Sequence, residues 1–162
     1  MLETKIKKDP AHVKWENEMY EKYPVLFREH TLTRIDSCMG DGICVQPGWY
    51  SLVERLCESL KDITAKTGML IVAEQVKQKL GGMRFYVKPI RPDGTDEHMY
   101  NLFKKTMYDA ISNIERESEH TCEACGKTGK RITIDGYIYT LCPRHALMLG
   151  HTNEENEKEK TI

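Results

Sequence analysis

Three cysteines and one histidine near the C-terminal end fall into two close pairs: Cys122 and Cys125 in Thr-Cys-Glu-Ala-Cys-Gly, and Cys142 and His145 in Leu-Cys-Pro-Arg-His. Thiolate and imidazole are the donors that suit Zn2+, and two donors this close along the chain can reach one ion from a single turn of backbone. Two such pairs separated by residues 126–141 predict a tetrahedral Cys3His zinc site. With all four positions filled by protein, no position stays open for a substrate, so the expected role of the metal is structural. Gly126 follows the second thiol directly and can take the left-handed conformation that turns backbone N–H groups toward sulfur.

The chain between the pairs has to position them. Residues 131–134 alternate, Asp135-Gly136 is a type I′ turn signal, and residues 137–141 alternate again, which predicts a hairpin. Pro143 suits the first turn of a short helix and Gly150 its stop. A knuckle, a hairpin and a helix carrying the last two ligands are the parts of a treble-clef-like finger.

The other three cysteines, Cys38, Cys44 and Cys57, show no paired framework. The spacing of Cys38 and Cys44 is not a usual zinc-pair spacing, so the plainer reading is a pair of partly buried thiols. A reducing, cytoplasmic setting is expected. Residues 1–9 are charged without an apolar core, and no run approaches the roughly 18 apolar residues of a membrane span, so neither a secretory leader nor a membrane anchor is predicted. A formal net charge of −1 removes the global electrostatic case for nucleic acid and leaves local patches to be considered.

At 162 residues and 40% hydrophobic content the chain can bury one core and a small satellite. The fold class expected is α+β: a helix-and-hairpin main domain over residues 1–118, the finger over 119–150, and a polar, disordered tail over 151–162. Within the main domain, residues 11–23 place Trp15, Met19 and Tyr23 on one helical stripe that ends at Pro24. Residues 49–63 repeat Trp49, Leu52, Val53, Leu56, Cys57, Leu60 and Ile63 at helical spacing and belong to the core. Around Gly81-Gly82, residues 69–79 and 83–88 read as the main hairpin. The period of residues 73–80 also fits a helix, and it is the Gly-Gly turn with the strongly alternating second arm that favours the strand. Thr95-Asp96-Glu97 signals a helix start, with a stripe of Met99, Leu102, Phe103, Met107, Ala110, Ile111 and Ile114 running to about residue 118. That helix feeds directly into the knuckle, so the finger is expected to pack on the main domain.

Two stretches are candidate binding surfaces. Residues 31–48 read as a long loop broken by Gly40, Asp41, Gly42, Pro47 and Gly48, and long loops in small domains tend to be functional. Asp36, Met39, Asp41 and Ile43 are its candidate partner-binding residues. Residues 71–91 carry Lys77, Lys79, Arg84, Lys88 and Arg91 against Glu74 alone, with Tyr86 among them. A basic strand face with an aromatic can hold phosphates and stack a base, which makes Lys77, Lys79, Arg84, Tyr86 and Lys88 a candidate nucleic-acid surface, with Lys127, Lys130 and Arg131 of the finger beside it. The plainer reading is the solvated face of a half-buried hairpin.

In order along the chain stand Tyr23-Pro24-x-Leu26-Phe27, Cys38-Met39, Gly48-Trp49-Tyr50, Gln75-Val76-Lys77-x-Lys79-x-Gly81-Gly82-x-Arg84-Phe85-Tyr86, Glu119-x-Thr121-Cys122-Glu123-x-Cys125-Gly126 and Leu141-Cys142-x-x-His145. This ordered set resembles a family of small uncharacterised proteins from bacteriophages and bacterial genomes. Members of that family usually carry Gly-Asp-Gly-Trp before the first long helix. Here Gln46-Pro47-Gly48 precedes Trp49, and a Gly40-Asp41-Gly42 lies earlier. The resemblance implies a phage or prophage origin and bound zinc, and it implies no reaction. Of three function classes, a binding protein that engages a bacterial host protein, such as a defence or transcription component, fits best. A nucleic-acid module using the basic hairpin is the alternative. An enzyme is least supported, because His30, Asp36, Cys38 and Asp41 share a loop without the spacing of a catalytic motif.

Overall fold

Residues 8–150 are described by a computed structural model. Helix α1 (Pro10–Lys22) starts where the Asp9 carboxylate accepts the His12 N–H at 2.7 Å, with Pro10 at the first helical position. It buries Trp15 and Met19, and Tyr23 continues the same stripe. Helix α2 (Tyr50–Thr67) buries Leu52, Val53, Leu56, Cys57, Leu60 and Ile63 as expected, and it stops at Gly68, whose φ of 75° lets its N–H reach Thr64.

The stretch between these helices is not the surface loop that its breakers suggest. It forms short 3-10 turns at Arg28–Thr31, Cys38–Asp41 and Pro47–Trp49 and a strand, β1 (Ile43–Cys44). Met39 and Ile43 are fully buried in the main core, so they are core residues and not partner-binding ones. The glycines here serve packing: a Cβ on Gly40 would stand 2.6 Å from the carbonyl oxygen of Leu32.

Strands β2 (Leu70–Lys79) and β3 (Gly82–Ile90) form the long hairpin, and β1 lies parallel to β2, giving a sheet of order β1-β2-β3. The first arm is therefore a strand. Its alternation is blurred by a bulge at Glu74, where the register shifts between Ala73 and Gln75. The reversal falls one residue earlier than the Gly-Gly pair suggests. Leu80 and Gly81 are the two central residues, with φ of 52° and 79°, while Gly82 opens β3 opposite Lys79.

Both outer edges of this sheet are partly covered by helix side chains. On β1 the Ile43 N–H donates to the Glu16 carboxylate at 2.7 Å, and the Ile43 carbonyl accepts from His12 Nε2 at 2.9 Å. A carbonyl can only accept, so His12 carries a hydrogen on Nε2, and its Nδ1 is hydrogen-bonded with the Tyr50 hydroxyl at 2.6 Å. On β3 the Met83 N–H donates to Ser118 Oγ and the Phe85 N–H to Glu115, each at 2.9 Å. These bonds occupy Ile43 on one edge and Met83 and Phe85 on the other, which blunts the edges there. Truncating Glu16 to Ala would leave a buried N–H unpaired, and urea unfolding should report a loss of about 1–3 kcal/mol. An unchanged unfolding midpoint would show that Ile43 finds another acceptor.

Helix α3 (Glu97–Ser118) begins at Asp96, whose carboxylate accepts the Met99 N–H at 2.8 Å. It packs on α2 and β3 through Met107 and Ile111, with Tyr100, Phe103, Ala110 and Ile114 partly buried around them. Met99 and Leu102 stay 41% and 45% exposed, which corrects the predicted stripe. The contact line runs through Tyr100, Phe103 and Met107, and residues one position before it point away.

Beyond α3 come β4 (Lys130–Ile134), β5 (Tyr137–Leu141) and α4 (Pro143–Met148), with Asp135 and Gly136 at φ of 49° and 80° between the strands. This knuckle, hairpin and helix follow the expected order around a satellite core of Cys122, Ile132, Leu141, Cys142 and Ala146. The architecture is α+β. The predicted tail over residues 151–162 lies outside the described residues. No helix among the described residues is long and apolar enough to cross a membrane.

Candidate metal centre and binding surface

The knuckle brings Cys122 and Cys125 to the start of α4, where Cys142 and His145 wait. One donor atom from each of the four lies within 4.8 Å of the others. Cys125 Sγ and Cys142 Sγ are 3.8 Å apart, and Cys122 Sγ is 3.7 Å from His145 Nδ1. A tetrahedral site with metal–sulfur bonds of ~2.3 Å and metal–nitrogen bonds of ~2.0 Å has edges of about 3.5–3.8 Å, so the donor set fits a metal such as zinc. The Cys142 Sγ to His145 Nδ1 separation is closer, at 3.2 Å. The backbone N–H of His145 holds the Cys142 thiol down to about 6, toward the thiolate that ligates metal, while burial pushes Cys122 up. Gly126, with φ of 78°, closes the knuckle by donating its N–H to the Cys122 carbonyl at 2.8 Å.

The finger is bonded to the main domain through its backbone. Gly48 N–H donates to the Glu123 carbonyl and Trp49 Nε1 to the Thr121 carbonyl, both at 2.8 Å. The approach is close enough that a Cβ on Gly48 would stand 2.1 Å from the Cys122 carbonyl oxygen. At the other side, Gln78 Nε2 donates to the Ile138 carbonyl at 2.7 Å, and Thr140 Oγ1 to the Gly81 carbonyl at 2.5 Å. Glu123 is buried within this seam. Its N–H reaches the Thr140 carbonyl and its carboxylate accepts the Thr140 N–H, both at 2.9 Å. Burial pushes its carboxyl up to about 7, against the lowering effect of the Thr140 and Gln78 donors. Sequence reasoning missed Gly48, Glu123, Gln78 and Thr140 as the parts that fix the metal centre in place. Their only local signal was a carboxylate set between two ligand cysteines and a glycine before a tryptophan.

The residues predicted for two separate surfaces meet in part. The register of β2 and β3 sets Lys77 opposite Arg84 and Gln75 opposite Tyr86 on one sheet face. A groove of about 490 Å³ lies against that face, lined by Tyr86 and Lys88 from β3 and by Asp36 and Cys38 from the connection before β1. Lys88 is paired with Glu29 at 3.1 Å, and Ser37 Oγ donates to the same carboxylate at 2.8 Å. Asp36 and Glu74 add further negative charge to the lining. Lys77, Lys79 and Arg84 lie nearer the hairpin tip and do not line the groove. Asp41 also stays out of it and pairs with Arg34 at 3.2 Å. Cys38 is exposed, whereas the half-buried Cys44 thiol donates to the Asp41 and Gly42 carbonyls at 3.6 Å. Among the described residues the Cys3His group is the one cluster that could hold a metal, and neither Cys38 nor Cys44 belongs to it.

Comparison of the chain with protein-family models, with curated proteins and with solved structures gives no significant match.

Proposed function

We propose that this chain is a zinc-braced binding protein that holds a protein partner and turns over no substrate. The observation that carries the reading is the closed Cys3His tetrad joined backbone to backbone to the start of α2. Four protein donors leave the metal no open position, and the seam makes it a brace for the whole molecule. A rigid scaffold of this kind presents surface. The groove of Asp36, Tyr86 and Lys88 is flanked by Ile35, which is 96% exposed, and by a tyrosine ring 42% exposed. Mixed charge with exposed apolar and aromatic groups suits protein side chains, and tyrosine is favoured at such contacts. In the lining Glu29, Asp36 and Glu74 outnumber Arg34 and Lys88, a balance that favours no phosphate and weighs against nucleic acid as the occupant. The resemblance to phage proteins makes the partner a bacterial host protein met in the cytoplasm.

Affinity capture from a bacterial lysate tests this. The parent chain should retain a discrete host protein, and a variant carrying Ile35→Asp and Tyr86→Ala should lose it at unchanged metal content. Titration of labelled DNA and RNA at low salt should show no binding. Binding whose salt slope fell by about one for each lysine removed at Lys77, Lys79 or Lys88 would replace the protein reading with the nucleic-acid one. Turnover of a nucleotide by the purified chain would reject both.

A further inference from the structure

The connection that walls the first groove also walls a second one of different chemistry. Its earlier part supplies Pro24 and Val25, α2 supplies Leu60 and Lys61, and the start of β2 supplies Leu70, around an apolar groove of about 220 Å³. Cys57 lies below, fully buried, with its thiol pushed well up by burial, so the floor is unreactive. Val25 and Leu70 are 47% and 36% exposed at its walls. The two rim lysines differ. Lys22 is held by Glu58 at 2.9 Å, and that carboxylate also accepts from the Tyr23 hydroxyl at 2.6 Å. Lys61 makes no hydrogen bond or ion pair among the described residues, and its charge reaches the same Glu58, so one carboxylate stands against two lysines at this rim.

We propose that this groove receives an apolar side chain of the protein partner, with a carboxylate beside it on the partner answering Lys61. The inference rests on the reading of the chain as a protein-binding scaffold and names one contact within it. Ligand pockets for whole small molecules run to about 300–1,000 Å³, so this smaller groove suits one inserted anchor. Buried anchors in pockets are where binding energy concentrates. With Lys22 and Lys61 set against Glu58 alone, the rim keeps one positive charge in excess, which fixes the sign of the neighbouring partner charge. Both grooves are walled by successive parts of one connection and by successive parts of β2.

The test uses the full-length, metal-loaded chain as bait for a displayed library of random peptides of about a dozen residues. Selected peptides should share Leu, Ile, Met or Phe with Asp or Glu close by. A synthetic peptide of that pattern should bind about tenfold or more weakly to Val25→Asp and to Leu70→Asp. Lys61→Glu should weaken it about two- to fivefold, and a peptide with Lys in place of its acid should recover the loss. Val25 and Leu70 are both partly exposed, and unchanged metal content and helical signal in each variant guard against misfolding. Peptide binding indifferent to all three substitutions would overturn the groove and leave the binding-protein reading standing. No selected peptide together with no captured host protein would remove both. Saturable binding of octanoate with the same sensitivities, in the absence of any peptide, would assign the groove to a small amphiphile and overturn the proposal. A concentration-dependent dimer abolished by Val25→Asp would assign it to a second copy, with the same consequence.

Discussion

Stripping the metal from this protein should unfold more than the finger. The satellite core consists of Cys122, Ile132, Leu141, Cys142 and Ala146, and two of these are ligands themselves, so without metal the finger has too little apolar burial to persist. Its loss reaches the main core at once. Trp49 is fully buried and its Nε1 donates to the Thr121 carbonyl, while the Gly48 N–H donates to Glu123. Each donor left unpaired costs about 1–3 kcal/mol, so the two together remove about 2–6 kcal/mol from a stability that for such domains is about 5–15 kcal/mol. At this size that corresponds to a fall in Tm of about 5–20 °C. The purified protein should contain about one equivalent of zinc, and a chelator or Cys125→Ser should both lower the melting temperature of the main helices and shift Trp49 emission to the red. A Trp15→Phe background isolates that emission, because the chain has 2 tryptophans. Helices that melt at one temperature with and without metal would show the finger to be an independent appendage.

The parts of this fold that were legible in the sequence are those fixed by local rules. Ligand pairs two residues apart need only one turn of backbone, Asp135-Gly136 specifies its turn by φ alone, and the α2 stripe repeats long enough to be unambiguous. Where a distant partner decides, the pattern misled. Strand β1 has two residues, too few to show a period, and its pairing of Ile43 with Val76 is made across an intervening helix. Met39 and Ile43 therefore looked like loop residues although the sheet and α1 enclose them. The bulge at Glu74 removed the alternation that would have declared β2. In α3 the phase was set by Tyr100 packing toward β3, where its hydroxyl donates to the Pro89 carbonyl at 3.3 Å, and a stripe drawn through Met99 and Leu102 missed that phase. The candidate metal centre was legible in its four donors and illegible in its supports, since a glycine required for close approach looks the same as one required for a turn.

That last distinction can be measured at Gly48. Its backbone has no positive φ, so the glycine is there for space, and the space is filled by the knuckle: a Cβ would stand 2.1 Å from the Cys122 carbonyl oxygen and 2.6 Å from the Glu123 carbonyl carbon. These are backbone atoms, which cannot swing aside as a side-chain end would. Gly48→Ala must therefore push the knuckle off α2, stretching the bond from the Gly48 N–H to Glu123 and dragging Cys122 out of its ligand position. Overpacking of about 1–3 kcal/mol and a weakened hydrogen bond of about 0.5–1.5 kcal/mol predict a total loss of about 2–4 kcal/mol. Metal affinity should fall with it. Gly94 provides the contrast, with φ of 74° and nothing within 4 Å of its would-be Cβ. Gly94→Ala should cost only the left-handed backbone, about 1–2 kcal/mol, and leave metal affinity as it was. Competition with a chromogenic chelator and urea unfolding of the two variants separate the cases. A Gly48→Ala chain that held its metal as tightly as the parent would show that the knuckle tolerates the shift and that the seam does not position the ligands.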